Sequence, residues 1–436
     1  MPLTLPRDRD GRFVNWSRTV TSRPASWELP ETEDAIVRCV RDAAAGGRRV
    51  RVVGAGHSWS QIAVPDDIAV SLDDWSGVIA EGTGTVTVRA GTRLRDLNAA
   101  LAARGLALPI LGSIAQQSVA GAVGTGTHGS SLVHGNLSSL VESARLVSGS
   151  GEVVDLAAGD ERLDGVRVHL GALGVITRLT LRVVPAFRLA ETVERIPAGD
   201  VAPRLEEIGR SAEYVKVWWL PHTPHALVFR YERTGDPAGR RPRTDRWIDD
   251  RVVHRALLPA VFALSNRRPA TVPFWNRVMA PTLVRPRRVG ASTLMLSTPD
   301  PVRHDETEAA IPLARAGEAF DQAVDLVEAT AVRVNFITEL RFVRGDGGWL
   351  SPASGGDVVQ LGAYTALTAD RDRYFAEFWR RMRPLGARPH WGKQLDHSAA
   401  ELRALYPQLP RFTALRDALD PDRVFANPFV DRVLGP

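Results

Sequence analysis

Only one cysteine, Cys39, occurs in 436 residues, so the chain has no intrachain disulfide framework and its core must hold it together. That cysteine lies in AIVRCVRDAA, a run with helical apolar spacing, and reads as a small core residue of a protein from a reducing compartment. Lysine is almost as scarce: of 55 lysines and arginines, only Lys216 and Lys393 are lysine. Arginine serves wherever a surface cation is needed, so a lysine here is an exception that points to a compact ammonium with a tunable pKa. No uninterrupted apolar run reaches about 18 residues, and MPLTLPRDRD lacks the basic and apolar regions of a secretory leader. A soluble, cytoplasmic protein with no obligatory membrane partner is expected. The net charge of +5 is slight and dispersed, which argues against the concentrated basic patch of a nucleic-acid-binding protein.

What is present is ordinary globular composition over a length that favours two domains. From Pro30, ETEDAIVRCVRDAAAGG carries acids in its first turn and a glycine pair at its end, the start and stop signals of a helix. RRVRVVG then reads as a strand, IAVSL as a second, EGTGTVTVRAG as a hairpin and TRLRDLNAALAARG as a helix closed by Gly105. Residues 106–139, rich in glycine, serine and threonine, fit neither a packed helix nor a regular sheet, yet are too apolar for a solvated linker. A buried loop system around a ligand satisfies both observations. A strand hairpin over SGSG follows, then a helix in VRVHLGALG and a strand in VITRLTLRVVP stopped by Pro185. Beyond residue 187 come long strands (EYVKVWWL, HALVFRYER, FITELRFV) around a Pro- and Arg-rich middle at 240–290. The expected fold is α+β, with one domain over 1–186, a second over 187–390, and a tail over 391–436. That tail, a helix, a DP turn and a short terminal segment, is expected to pack back on the first domain.

The stretch VVGAGHSW, residues 52–59, resembles the opening of a dinucleotide fingerprint, but GxGxxG would need glycine where Trp59 stands. Two glycines in one turn still expose several N–H donors in one concavity, which suits an anion without a basic side chain. A neutral imidazole at His57 is also a good nucleophile toward an electrophilic ring.

Five segments in order, GAGHSW, SVAGAVGTGTHGSS, ELRFV, RPHWGK and DPDRVFANPFVDRVLG, resemble the vanillyl-alcohol-oxidase type of FAD flavoproteins, most nearly the aldonolactone oxidase and alditol oxidase branch. The resemblance implies a two-domain FAD-binding fold of the PCMH type with a sheet-based substrate (cap) domain. It implies that His57 is bonded through its imidazole to the methyl carbon of the flavin's benzenoid ring, while the backbone of Gly54, Ala55, Gly56 and Ser58 holds the pyrophosphate. Cys39 precedes this histidine and does not match the second attachment cysteine of berberine-bridge-type relatives, so a single linkage is expected. Ser118, Gly121, Thr125, Thr127, His128 and Gly129 match FAD contacts, Ile176 an adenine-side contact, and His390 a position near the flavin ring. For catalysis, Glu339 and Arg341 are two apart on a probable strand, hence on one face, where they can grip a polyol. Lys393 matches a lysine at the flavin's polar edge, and Ser113 a serine that contacts substrate. Gly112, with no side chain, leaves room for oxygen. No metal-ligand set is expected.

The implied activity is transfer of hydride from a C–OH of a sugar, polyol or aldonolactone to flavin N5, with O2 as electron acceptor giving H2O2. The sequence departs from its relatives where many carry SPAYGRD: here SPASGGD puts Ser354 and Gly356 in place of a tyrosine and an arginine. In QLGAYTA, Gly362 and Tyr364 stand where alditol oxidases have a histidine and a threonine. A pocket that loses such donors selects differently, so an alternative is the same chemistry on a larger alcohol or amine intermediate of a biosynthetic pathway. A further alternative is a flavin-binding protein without turnover, with RALLPAVFALSNRRPATVPFWNRV lying on an acidic membrane as an amphipathic helix.

Overall fold

The computed structural model describes residues 5–239, 258–297, 303–330, 332–366 and 370–435. The expectations that fall on 240–257, the first part of the Pro- and Arg-rich middle, lie outside the described residues. The first helix, Glu33–Ala45, starts where the Thr32 side chain accepts from the Ala35 amide and buries Ile36, Val40 and Ala43. It packs over a small parallel sheet whose strand order is Ser26–Glu28, Ile68–Val70, Val50–Val52. A second, five-stranded antiparallel sheet carries Val78–Gly82, Thr85–Arg89, Val141–Val147, Val153–Leu156 and Val175–Arg182.

One core joins these sheets to the far end of the chain, since Leu402, Tyr406, Phe412, Phe425, Phe429 and Val433 pack with Ile36, Leu146 and Val175. The tail is two helices, Ala399–Leu405 and Leu409–Leu419, and a terminal helix Pro428–Leu434, where one helix and a short segment were expected. Main-chain bonds tie it down: the Val50 amide donates to the Val424 carbonyl at 2.7 Å. The Asn427 amide group donates to the carbonyls of Gln61 and Val64.

Between them lies an eight-stranded sheet, antiparallel throughout, in the order Arg288–Ala291, Arg188–Pro197, His225–Thr234, Tyr214–Trp219, Thr338–Val343, Val358–Thr365, Asp305–Pro312, Arg388–Pro389. Alternation along each strand decides which residues face where. Val215, Val217, Leu340, Phe342, Leu361 and Ile311 point to helices Val201–Arg210, Ala316–Ala329 and Arg371–Met382, forming a second core with Leu205, Phe320 and Phe378. The intervening residues, charged and aromatic, belong to the opposite face.

Two local expectations fail. VRVHLGALG is not a helix: the helix Leu163–Val166 ends on its first residue, and Leu170, Gly171 and Gly174 adopt positive φ of 53°, 67° and 137°. Its apolar spacing reflects a buried loop. Conversely, the loop system at 106–139 does contain a largely buried helix, Val119–Gly124, in which Gly124 lets the His169 ring approach closely. Among the described residues no helix is long and apolar enough to cross a membrane.

Candidate functional site

A groove of about 110 Å3 runs beside the turn after Val50–Val52 and is lined by Gly54, Ala55, Gly56, His57 and Ser58 on one side and by Ser118, Gly121, Thr125 and Ile176 on the other. The amides of Gly54, Ala55, Gly56, His57 and Ser58 donate to nothing among the described residues, although Val53 and Trp59 on either side are bonded. Five successive unpaired N–H groups in one concavity form an anion cradle. Gly56 supplies the bend with φ 68°, and a Cβ at Gly54 would come within 2.5 Å of Ser118 Oγ. The groove also contains Arg51 and His169, which the sequence did not single out. Arg51 is buried and donates to the carbonyls of Leu170, Gly171 and Phe425, so its charge stiffens the wall.

The groove shares His57, Ser58, Gln117 and Thr125 with a cavity of about 320 Å3 under the eight-stranded sheet. His57 stacks on Trp16 with ring centroids 5.4 Å apart. Its Nδ1 is buried without a partner, and burial, then the cations Arg93 and Lys393, push its pKa down to about 4. The imidazole is therefore neutral at ordinary pH.

The polar end of the cavity is built across four strands. One row of the sheet reads Trp218, Glu339, Gly362, Glu308. Arg341 reaches over Gly362 to touch both acids, at 2.8 Å from Glu308 and 3.4 Å from Glu339. Glu339 also accepts from Trp218 Nε1 at 2.7 Å and from the Tyr364 hydroxyl at 3.0 Å. A Cβ at Gly362 would lie 2.6 Å from the Tyr364 ring. The two departures at 362 and 364 are thus one feature: the glycine clears the space into which the tyrosine folds. Ser354 and Gly356, by contrast, line neither cavity nor groove, so those departures do not reshape the pocket.

Lys393 lines the cavity, and Lys216 lies beside Glu339 in a small neighbouring cavity. Lys393 is ion-paired with Glu306 and sits 4.1 Å over the Trp59 ring. Lys216 sits 4.4 Å over the Trp218 ring and 3.9 Å from Glu339; burial lowers its pKa against the pull of Glu339 and Glu191. Burial alone would raise the pKa values of Glu306, Glu308 and Glu339, but Lys393 holds the first below the usual range and Arg341 the other two. Three buried carboxylates thus face three buried cations. Glu306 Oε1 has no hydrogen-bond partner. His128 Nε2 lies 3.3 Å from Glu308, and His390, its pKa pushed down to about 3 by burial, packs against it. The ligand atoms of His128, Glu308 and His390 fall within 4.8 Å of one another, but Glu308 is already neutralised by Arg341.

Every expected catalytic residue, Gly112, Ser113, Glu339, Arg341 and Lys393, lines this cavity, together with Thr127, His128 and His390. Gly129 does not: it packs on Ile110 and lines a small neighbouring cavity with Ser113, Lys216 and Arg341. A Cβ at Gly112 would be 2.7 Å from the Thr127 methyl, a packing reason for glycine independent of any oxygen path. Missed by the sequence reading were Glu306, Glu308 and Trp218. The usable signal was DETE at the head of an otherwise apolar strand, where period two puts both glutamates on one face. The far wall comes from helices Leu258–Arg267 and Val272–Met279, whose inner faces cover the cavity while Leu264, Phe274 and Val278 stay exposed.

This lining suits FAD: a groove with main-chain anion donors adjoins, at a buried unpartnered imidazole, a roomier cavity with cationic walls. The comparisons with known proteins point the same way. Residues 24–157 match the FAD binding domain family, and residues 179–433 the D-arabinono-1,4-lactone oxidase family. The chain is 34% identical over 426 residues to an L-gulono-1,4-lactone dehydrogenase of Mycobacterium tuberculosis, covering 97% of this chain and 99% of that one. It is 29% identical to the L-gulonolactone oxidase of Bos taurus, over 97% and 98% of the two chains. A cholesterol oxidase from B. sterolicum has the same fold, with a TM-score of 0.84 at 19% identity over 99% of both chains.

Proposed function

The chain belongs to the aldonolactone oxidase family of FAD-binding proteins, and on that premise we propose that it oxidises the C–OH of a sugar lactone or related hydroxylated ring to a carbonyl. The observation that carries this reading is the junction at His57, where five unpaired amides, a neutral imidazole and the Lys393–Glu306 pair meet across one shared wall. FAD would be held by the amides of 54–58 and by Ser118, Gly121, Thr125 and Ile176, and would supply the acceptor for the hydride of the substrate's C–H bond. His57 is the single covalent attachment point: nothing in the protein competes for its Nδ1, and its neutral form is nucleophilic. Lys393 keeps positive charge beside the reacting centre, fixed by Glu306 and by the face of Trp59. Glu306, held as a carboxylate by Lys393, accepts the hydrogen bond of the substrate hydroxyl through Oε1 and takes up its proton as the C–H hydride departs, leaving C=O. Ser113, whose hydroxyl makes no bond to the described residues, donates to the substrate ring. Arg341 serves to hold Glu308 and Glu339 as well as to border the substrate.

Acid-precipitated, washed protein is expected to stay yellow, and anaerobic addition of an aldonolactone to bleach the bound flavin. Complete release of flavin by acid removes the tether; flavin that no aldonolactone bleaches removes the substrate assignment. Oxygen is the proposed electron acceptor, giving hydrogen peroxide. Reduced enzyme mixed with aerated buffer then reoxidises within seconds, and persistence for minutes instead marks a dehydrogenase, as the mycobacterial relative is named.

A further inference from the structure

The far half of the cavity offers a ligand almost nothing to hydrogen-bond. On the covering helices, Asn276 Nδ2 donates to the carbonyls of Pro221 and Val334 at 2.8 and 2.9 Å. Ser265 Oγ donates to the Phe262 carbonyl at 3.0 Å and accepts from Asn335, whose amide group also donates to Asn266. Arg285 is likewise engaged within the protein. Even at the polar end, both oxygens of Glu339 already carry donors, Trp218 on one and Tyr364 on the other. What remains free, the Trp275 indole N–H apart, is apolar surface from Val261, Phe262, Trp275, Met279, Leu283 and Phe336. This surface is continuous with the reacting end, since Phe262 stacks on Phe336 at 5.3 Å and Phe336 on Tyr364 at 5.7 Å.

A polyol drawn into such a space gives up water at each far hydroxyl without replacement, at about tenfold or more in affinity per group. An alkyl chain or aryl ring gains about fourfold per methylene buried. We infer that the substrate carries an apolar body on the ring that holds the reacting hydroxyl, and that this body lies under helices Leu258–Arg267 and Val272–Met279. The inference rests on the carbinol oxidation proposed above and names the kind of molecule that undergoes it: one polar, hydroxylated end and one hydrocarbon end. Tyr364, folded over Gly362, is the residue that turns the polar end from a polyol grip into a site for few hydroxyls.

The test is a homologous series of 2-hydroxy-γ-lactones, unsubstituted or bearing a butyl or an octyl chain at the ring carbon opposite, titrated into the holoenzyme. Binding is read from quenching of tryptophan fluorescence, because Trp218 and Trp275 line the cavity, and turnover from anaerobic bleaching of the flavin. Kd should fall about fourfold per methylene until the cavity is filled, then level. Phe262→Asn and Met279→Asn should each shrink the octyl-to-unsubstituted ratio by about tenfold or more. A Kd indifferent to chain length, a slope untouched by both substitutions, or a polyhydroxy aldonolactone that outbinds the octyl compound overturns the inference. Should the Kd slope and its loss in the variants appear while no lactone bleaches the flavin, the apolar body stands and the proposed reaction is what fails.

Discussion

The groove at Gly54–Ser58 and the cavity next to it are walled by different material. The groove presents main-chain amides from one contiguous turn, with side chains kept small so that a ligand can approach the backbone. The cavity presents side chains carried by four strands of one sheet and two helices, held in place by ion pairs and rings. A main-chain wall is specific for shape and anionic charge but indifferent to small changes of side-chain chemistry, whereas a side-chain wall is the reverse. The first suits a cofactor common to a whole family, the second a substrate that differs between its members.

That contrast breaks if the two walls respond alike to substitution. Gly54→Val should act most strongly, since a side chain there meets Ser118: the protein should purify folded and colourless, measured by the flavin-to-protein absorbance ratio and circular dichroism. Lys393→Met should keep the full flavin content and lose roughly 10³-fold in kcat/KM, the size expected for removing a charge that acts on the reacting atoms. Retained activity in that variant would move the cationic role to Lys216. Arg341→Lys should again leave flavin content intact while turnover falls roughly 10²-fold, because an ammonium cannot bridge Glu308 and Glu339 as the guanidinium fork does.

A pH titration sharpens the comparison, as both walls contain neutral imidazoles. Burial pushes His57, His169, His222 and His397 down to about 4 and His390 to about 3, from an ordinary 6.5. Between these limits the unfolded chain binds protons that the folded chain refuses, so stability is whole above pH 6.5 and declines as pH falls toward 4. The melting temperature of flavin-free protein should drop by on the order of 5 °C between pH 7 and pH 5; an unchanged value would mean these rings are protonated in the fold. The mildest change is Tyr364→Phe. It removes one hydrogen bond to Glu339 and should alter kcat/KM no more than about tenfold, read from initial rates.

The same difference of material explains what the sequence allowed one to read. Gly54 to Ser58 and Ser118 to Gly121 are each a few neighbouring residues, so a motif carries them whole. Glu339, Arg341 and Lys393 were recognisable only because each sits in a short stretch with its own pattern. Glu308 and Trp218 were not, for strand register puts Trp218 directly opposite Glu339 and Glu308 one strand beyond it, across Gly362, and register is a long-range property. The scarcity of lysine was applied to Lys393 alone, although Lys216 too is held between an acid and an aromatic ring. In VRVHLGALG, apolar spacing suggested a helix where three residues of positive φ make a loop; burial imposes apolar residues on loops and helices alike.

The Arg51 guanidinium in the groove wall is anchored on the carbonyl of Phe425, a residue 374 positions further along. During synthesis that anchor is missing while the ribosome makes the entire sheet and its covering helices, and it can form only when the last turns emerge. Loading of the flavin is therefore a late event in the life of the polypeptide, and a nascent chain halted before residue 425 should be a colourless one.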